Sequence, residues 1–276
     1  MSESHFTFPI RSDKLTMTCS VTSTVFDAQT EFQRVTILDT EVYGKALLLD
    51  GHIQLTDFDE KAYHEALVQI PALNLPSFAK ALVIGGGDGG VIRELCRHAS
   101  VTQIDMVEID KGVVAACKEH MPSLSNGAFD DPRVRLHLTD AFAWVKSASD
   151  QYDLIVVDST DTYEDEEGEI SEMLWTSGFY TDLLRLLSPD GFVVTQADNH
   201  VYCPYSSEDV LELFGSVFPS KGFYFALVPS FGGFSGFVWG SKGAAPAPKW
   251  SVEFDKGWST LNESTYNLAF SELAFA

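Results

Sequence analysis

The chain is short of positive charge: 18 Lys and Arg stand against 40 Asp and Glu, a formal net charge of −22. A field of that sign repels nucleic acid and anionic membranes and attracts cations, although solubility alone also accounts for it. Cysteine is scarce. The four residues Cys19, Cys96, Cys117 and Cys203 form no CxxC pair, which excludes a recognisable disulfide framework and fits reduced thiols in a cytosol. The seven histidines, at 5, 52, 64, 98, 120, 137 and 200, show no HxxxH spacing, so no metal site is expected. No stretch reaches the roughly 18 apolar residues of a membrane span. Residues 1–10, MSESHFTFPI, lack the basic start and apolar centre of a signal peptide. The expectation is a cytoplasmic protein with no membrane or nucleic-acid partner. There is no GxSxG, no Walker lysine, no catalytic Cys/His pattern and no internal repeat.

At 276 residues, 45% hydrophobic and with 20 Phe, 9 Tyr and 5 Trp, the chain can bury a large core. Residues 1–65 read as an N-terminal β-strand domain. Alternating stretches at 14–24, 32–39 and 42–49 run into the hairpin signal Asp50-Gly51, with 52–56 returning. Two or three hairpins bury little by themselves, so this region is expected to pack on the main domain or a second subunit. Residues 57–73 change to a helical period. Residues 66–276 read as a Rossmann-like catalytic domain. Apolar strands at 81–84, 102–109, 134–138, 153–157 and 192–196 alternate with helices at 91–98, 112–120, 141–148, 177–187 and 207–217, and late strands follow at 222–228 and 237–241. That alternation predicts an α/β fold with a doubly wound, mostly parallel sheet. GAAPAP at 243–248 reads as a linker to a tail.

ALVIGGGDGG at 81–90 is the focal stretch. An apolar strand stops at a glycine turn and a helix follows, as in a nucleotide-binding βαβ unit. Asp88 is the odd member: a turn for phosphate does not aim an anion at its ligand, whereas a turn for a cation does. In an open parallel sheet, ligands bind beyond the carboxyl ends of the strands. Those ends carry Asp88, then Glu108 and Asp110, Asp140, Asp158 and Asp161, and finally Gln196 with Asp198. Asp140 also has a reading as a helix cap, and Asp158 and Asp161 as turn residues. Asp158 directly follows the buried strand DLIVV. Desolvation there raises its proton affinity and makes it a better base.

These motifs resemble the polyamine aminopropyltransferases, the spermidine synthase family, over about residues 32–242. The resemblance is carried by YGK at 43–45 with DGHIQLT at 50–56, by Asp59-Glu60 and Tyr63-His64-Glu65, by GGGDGGVIRE at 85–94, by VEID at 107–110, by DPRV at 131–134, by DSTD at 158–161 and by TQA at 195–197. It implies a class I methyltransferase-like fold and transfer of the aminopropyl group of decarboxylated S-adenosylmethionine to an amine, releasing methylthioadenosine. The donor is a co-substrate; no tightly bound cofactor or metal is implied. By similarity Gln33, Gln54, Gly85, Gly87, Asp88, Glu108 and Asp140 belong to the donor site. Asp88 takes the donor's ammonium, Glu108 its ribose hydroxyls and Asp140 its adenine. Asp158 is the implied base, assisted by Asp161 and Tyr63. Tyr63, His64, Asp161, Gln196, Asp198 and Phe231 belong to the acceptor site. The family implies a homodimer or homotetramer assembled through the N-terminal strands.

Four features depart from the family pattern. Thr162 stands in place of a proline, and an acidic stretch, YEDEEGEISE at 163–172, follows it. Asp198 stands where a glutamate is common, and Phe231 where an acceptor-binding tyrosine is common. Putrescine is the default acceptor, with agmatine, cadaverine and spermidine open. A methyltransferase using intact S-adenosylmethionine shares the βαβ plan, but Asp88 and the Asp158/Asp161 pair argue against it. A dehydrogenase fits the glycine pattern only, and a non-catalytic polyamine-binding homologue is the non-enzymatic alternative.

Overall fold

The computed structural model describes residues 4–11, 14–75, 78–159, 176–199, 201–243 and 257–272. Two sheets carry the fold. The first is a five-stranded antiparallel meander of β1 (Ser4–Arg11), β2 (Leu15–Gln29), β3 (Arg34–Thr40), β4 (Gly44–Leu49) and β5 (His52–Thr56). It is larger than the hairpins expected from the sequence, because residues 4–11 add a strand paired with β2 and β2 continues to Gln29. Asp50 and Gly51 do turn the chain between β4 and β5, both with positive φ.

The second sheet follows α1 (Glu60–Leu73). Its members are β6 (Lys80–Gly85), β7 (Gln103–Glu108), β8 (Val134–Leu138), β9 (Tyr152–Asp158), β10 (Leu187–Asn199), β11 (Ser220–Val228) and β12 (Gly233–Ser241), in the order β11-β12-β10-β9-β6-β7-β8. The five strands from β10 to β8 are parallel neighbours, and β12 pairs antiparallel with both β10 and β11. The helices between are α2 (Gly90–Cys96), α3 (Lys111–His120), α4 (Pro122–Ser125), α5 (Ala141–Ser147), α6 (Ser177–Leu186) and α7 (Pro204–Val217); α8 (Glu263–Ala269) closes the described chain. This is the doubly wound α/β sheet that the alternation predicts. One detail differs. The SPDG segment at 188–191 reads as a turn before a strand at 192–196, yet β10 already begins at Leu187 and takes up the extra residues as a slip in register between Leu187 and Phe192.

Strands β6 and β9 and the Phe192–Val194 centre of β10 are apolar because helices cover both faces. One face buries Tyr63, Leu67 and Ile70 of α1 with Val91, Ile92 and Leu95 of α2. The other buries Val145 of α5, Phe179, Tyr180 and Leu183 of α6, and Val210 and Phe214 of α7. The small sheet lays Val35, Ile37, Leu47 and Leu55 against Val113, Ala116 and Cys117 of α3. Helix α1 packs against α2, β9, β10 and β11, so the boundary expected between residues 65 and 66 falls inside a helix of the large sheet. All four cysteines are free. Among the described residues no helix is long and apolar enough to cross a membrane.

Candidate active site

The strand order reverses between β6 and β9: the chain leaves β6 for β7 and β8 on one side and returns to β9 on the other. Such a switch point opens a crevice at the carboxyl ends of the two strands. Gly85, last in β6, and Asp158, last in β9, are register partners there. The N–H of Gly86 donates to the carbonyl of Asp158 at 2.9 Å. At Gly85 φ is +79°, and a Cβ would lie 2.2 Å from that carbonyl oxygen. Glycine is needed here so that two strand ends can meet, before any ligand is considered.

The turn then presents Asp88. Its carboxylate accepts from the N–H of Gly90 at 2.7 Å and faces His64 Nε2 at 3.2 Å. His64 stands on α1, buried, with Nδ1 2.8 Å from Glu60, one helical turn earlier. Arg93 of α2 grips both oxygens of Glu60 at 2.8 and 2.9 Å. Burial alone would lower the proton affinity of His64, but the facing carboxylates Asp88 and Glu60 outweigh it and lift the pKa to about 10. Burial works upward on Glu60, yet His64 and Arg93 hold it well below the usual carboxylate range.

Asp158 receives a hydrogen bond from the hydroxyl of Tyr63 at 2.7 Å. Burial, then the negative charge of Asp88, push its pKa up to about 6; the charge of His64 and the Tyr63 hydroxyl pull the other way. Ligand-capable atoms of His64, Asp88 and Asp158 lie within 4.8 Å of one another. The imidazole has committed both nitrogens to Glu60 and Asp88, so in that trio only the two carboxylates keep lone pairs for a cation.

The donor-side candidates divide. Glu108 ends β7, accepts the N–H of Asp110 at 2.8 Å, and is pushed up to about 7 by burial against the pull of that N–H. Its Oε2 would lie 3.0 Å from a Cβ on Gly87, so Glu108 borders the glycine turn. Asp110 caps α3 through the N–H of Gly112 at 2.8 Å and accepts from Thr30 at 2.6 Å and Gln33 at 3.1 Å. Gln33 therefore reaches the strand ends from the small sheet. Gln54 donates to the carbonyl of His52 in its own strand at 3.2 Å. Asp140 is exposed and caps α5 through the N–H of Phe142 at 2.8 Å, the cap that the sequence allows.

On the other side, the ring of Phe231 stands edge-on to Tyr63, centroids 5.7 Å apart. Phe231 lies in a 3-10 turn, Pro229–Phe231, that Asp59 fastens by accepting from the N–H and the hydroxyl of Ser230 at 2.7 and 2.9 Å. Gln196 donates to the carbonyl of Ser159 at 3.3 Å and accepts from the N–H of Asp198 at 2.9 Å. Asp161, Thr162 and the acidic stretch 163–172 lie outside the described residues. Sequence reasoning names Tyr63, Asp88 and Asp158 but gives no role to Glu60, Arg93 or Asp59. The available signal is the Glu60–His64 spacing of four on a helix whose polar residues are buried.

The family comparison decides the class. The spermine/spermidine synthase domain matches residues 60–248 and the spermidine synthase tetramerisation domain matches residues 6–57. The chain belongs to the spermine/spermidine synthase family. It is an enzyme of the aminopropyltransferase class. A polyamine aminopropyltransferase of Pyrobaculum calidifontis is 39% identical over 213 residues, covering 76% of this chain and 73% of its own. One from Alkaliphilus metalliredigens is 37% identical over 259 residues, covering 91% and 87%. Among solved structures, a spermidine synthase in complex with the transition-state analogue AdoDATO superposes with a TM-score of 0.91 at 26% identity, covering 99% of this chain and 93% of that one. The spermidine synthase of Thermotoga maritima gives 0.88 at 25%, covering 99% and 92%.

Proposed function

We propose that the enzyme transfers the aminopropyl group of decarboxylated S-adenosylmethionine to a diamine, putrescine by default, giving spermidine and methylthioadenosine. The observation that carries the reading is the pairing of Asp158 with Tyr63 beside Asp88 at the sheet's switch point. Asp88 supplies an anion for the donor's terminal ammonium and opposes the carboxylate of intact S-adenosylmethionine, a selectivity by repulsion. Glu108 takes the ribose hydroxyls and Asp140 the adenine amino group, with Gln33 and Gln54 along the donor.

The acceptor arrives as an ammonium. Asp158, whose proton affinity is raised towards neutrality, takes one proton, and Asp161 helps to hold the amine. The freed nitrogen lone pair forms the new C–N bond as the C–S bond breaks, and the bonding pair neutralises the sulfonium. Alignment and deprotonation are the protein's two contributions. Phe231 and Tyr63 supply an aromatic wall for the methylene chain, and Gln196 and Asp198 polar groups beyond it. The match to the tetramerisation domain supports a homodimer or homotetramer. The test is methylthioadenosine release from the decarboxylated donor with putrescine, agmatine, cadaverine and spermidine in parallel. Release with putrescine is expected. Release with another amine alone reassigns the acceptor, and methyl transfer from intact S-adenosylmethionine without such release overturns the reaction.

A further inference from the structure

His64 is enclosed on every side. Its Nδ1 faces Glu60 at 2.8 Å and its Nε2 faces Asp88 at 3.2 Å. The ring meets Tyr63 edge-on at 5.4 Å and 82°. Below it lies the first residue of α2: a Cβ on Gly90 would sit 2.2–2.4 Å from three atoms of the imidazole. The last glycine of GGGDGG thus makes room for a side chain of the protein. The ring can neither turn nor release a nitrogen without breaking a contact to a carboxylate. Glu60 is in turn fixed by the two-pronged grip of Arg93, which also touches Glu94 at 3.0 Å and donates to the carbonyl of Leu124 at 2.8 Å. The charged groups around His64 are therefore Glu60 and, beyond it, Arg93 on the helices, Asp88 on the turn and Asp158 on β9.

We propose that Glu60, anchored by Arg93, is a positioning residue that keeps His64 a fixed cation, and that this cation lets Asp88 and Asp158 both stay ionised side by side. Two neighbouring carboxylates in a partly desolvated site cannot both hold their charge unaided, and one takes up a proton. If Asp158 took it, the base would be lost; if Asp88 took it, the partner for the donor's ammonium would be lost. One imidazolium between them removes that choice. With His64 charged, Glu60, Arg93, His64, Asp88 and Asp158 together carry one negative charge, which a single ammonium neutralises. His64 then acts through the two carboxylates.

The role of Asp158 as base comes from the reaction proposed above, so the experiment has an arm that needs no turnover. In the full chain labelled with 15N-histidine, the His64 signal is identified by its loss in His64→Gln. It is expected to show two protonated ring nitrogens at pH 7 and pH 8 in the parent, and to become neutral by pH 8 in Glu60→Gln. In the same variant the acid limb of the kcat/KM profile for methylthioadenosine release is expected to move up by about half a pH unit or more, because Asp158 loses a facing positive charge. The loss of activity is then larger at pH 7 than at pH 9, a dependence that damage to packing alone does not produce. A neutral His64 at pH 7 in the parent overturns the proposal, as does a Glu60→Gln protein whose His64 signal and acid limb stay where they were. If Glu60→Gln does not fold, Arg93→Lys, which keeps the charge but loses the grip, is expected to shift the same limb in the same direction, and an unmoved limb there overturns it. No methylthioadenosine release at all, with His64 still a cation, condemns the reaction and leaves this arrangement intact.

Discussion

A single α-carbon hydrogen at Gly90 decides whether the imidazole of His64 can lie flat on the start of α2. Gly90→Ala would bring a methyl group to 2.2 Å from His64 Cε1. The buried ring has no room to retreat. Overpacking of this kind costs about 1–3 kcal/mol, and the displaced ring would release Asp88. The expected outcome is a lower denaturant midpoint together with a fall in turnover. Unchanged values in both would mean that α2 simply shifts. The placement of Asp88 and Asp158 at the crevice is legible from sequence, because a charged residue at the end of a buried apolar strand or on the turn after it has one place to go in a parallel sheet. The grip of Arg93 on Glu60 is not legible. It joins residues 33 positions apart through the docking of α1 on α2, and no local pattern marks which helix faces meet.

Helix α1 is the element on which the site turns. It carries Glu60, Tyr63 and His64 on the side toward the strand ends, and on the other side Glu65, buried among the residues that approach from the C-terminal segment. Glu65 accepts from the backbone N–H groups of Ser259, Thr260 and Leu261 at 2.6, 2.8 and 2.9 Å and from the hydroxyl of Thr260 at 2.6 Å. Farther along, Tyr224 donates to the carbonyl of Ala66 at 2.9 Å, and Asn74 donates to Tyr266 at 2.9 Å. Glu65→Ala leaves three backbone N–H groups without their acceptor, that of Leu261 buried and those of Ser259 and Thr260 partly so. Each unsatisfied group costs about 1–3 kcal/mol, so a drop in melting temperature is expected. Turnover is expected to fall too, since Tyr63 and His64 precede Glu65 directly in the helix. Full stability in the variant would mean that water replaces the carboxylate. This tail reads as featureless beyond the linker at 243–248, because its anchor is one acid nearly 200 residues upstream. Strand β1 escapes notice for a similar reason: within SHFTFPIR only the pairing with β2 shows that the alternation is used.

At the scale of the whole molecule, the α/β alternation, the antiparallel strands before it and the carboxylates at the strand ends are legible because each follows from a period or a position. The way the two sheets come together is not, since it depends on an apolar face of the small sheet matching α3. That contact carries Gln33 to Asp110 and so brings the N-terminal region to the edge of the catalytic crevice. The acidic balance of −22 fits a protein whose proposed substrates are both cations. The proposed reaction makes Asp158 the group that frees the amine. The most direct measurement is methylthioadenosine release by Asp158→Asn with saturating decarboxylated donor and putrescine, beside calorimetric binding of the donor. Donor affinity close to that of the parent with turnover reduced about 10²-fold or more is the expected result; turnover equal to that of the parent would contradict it.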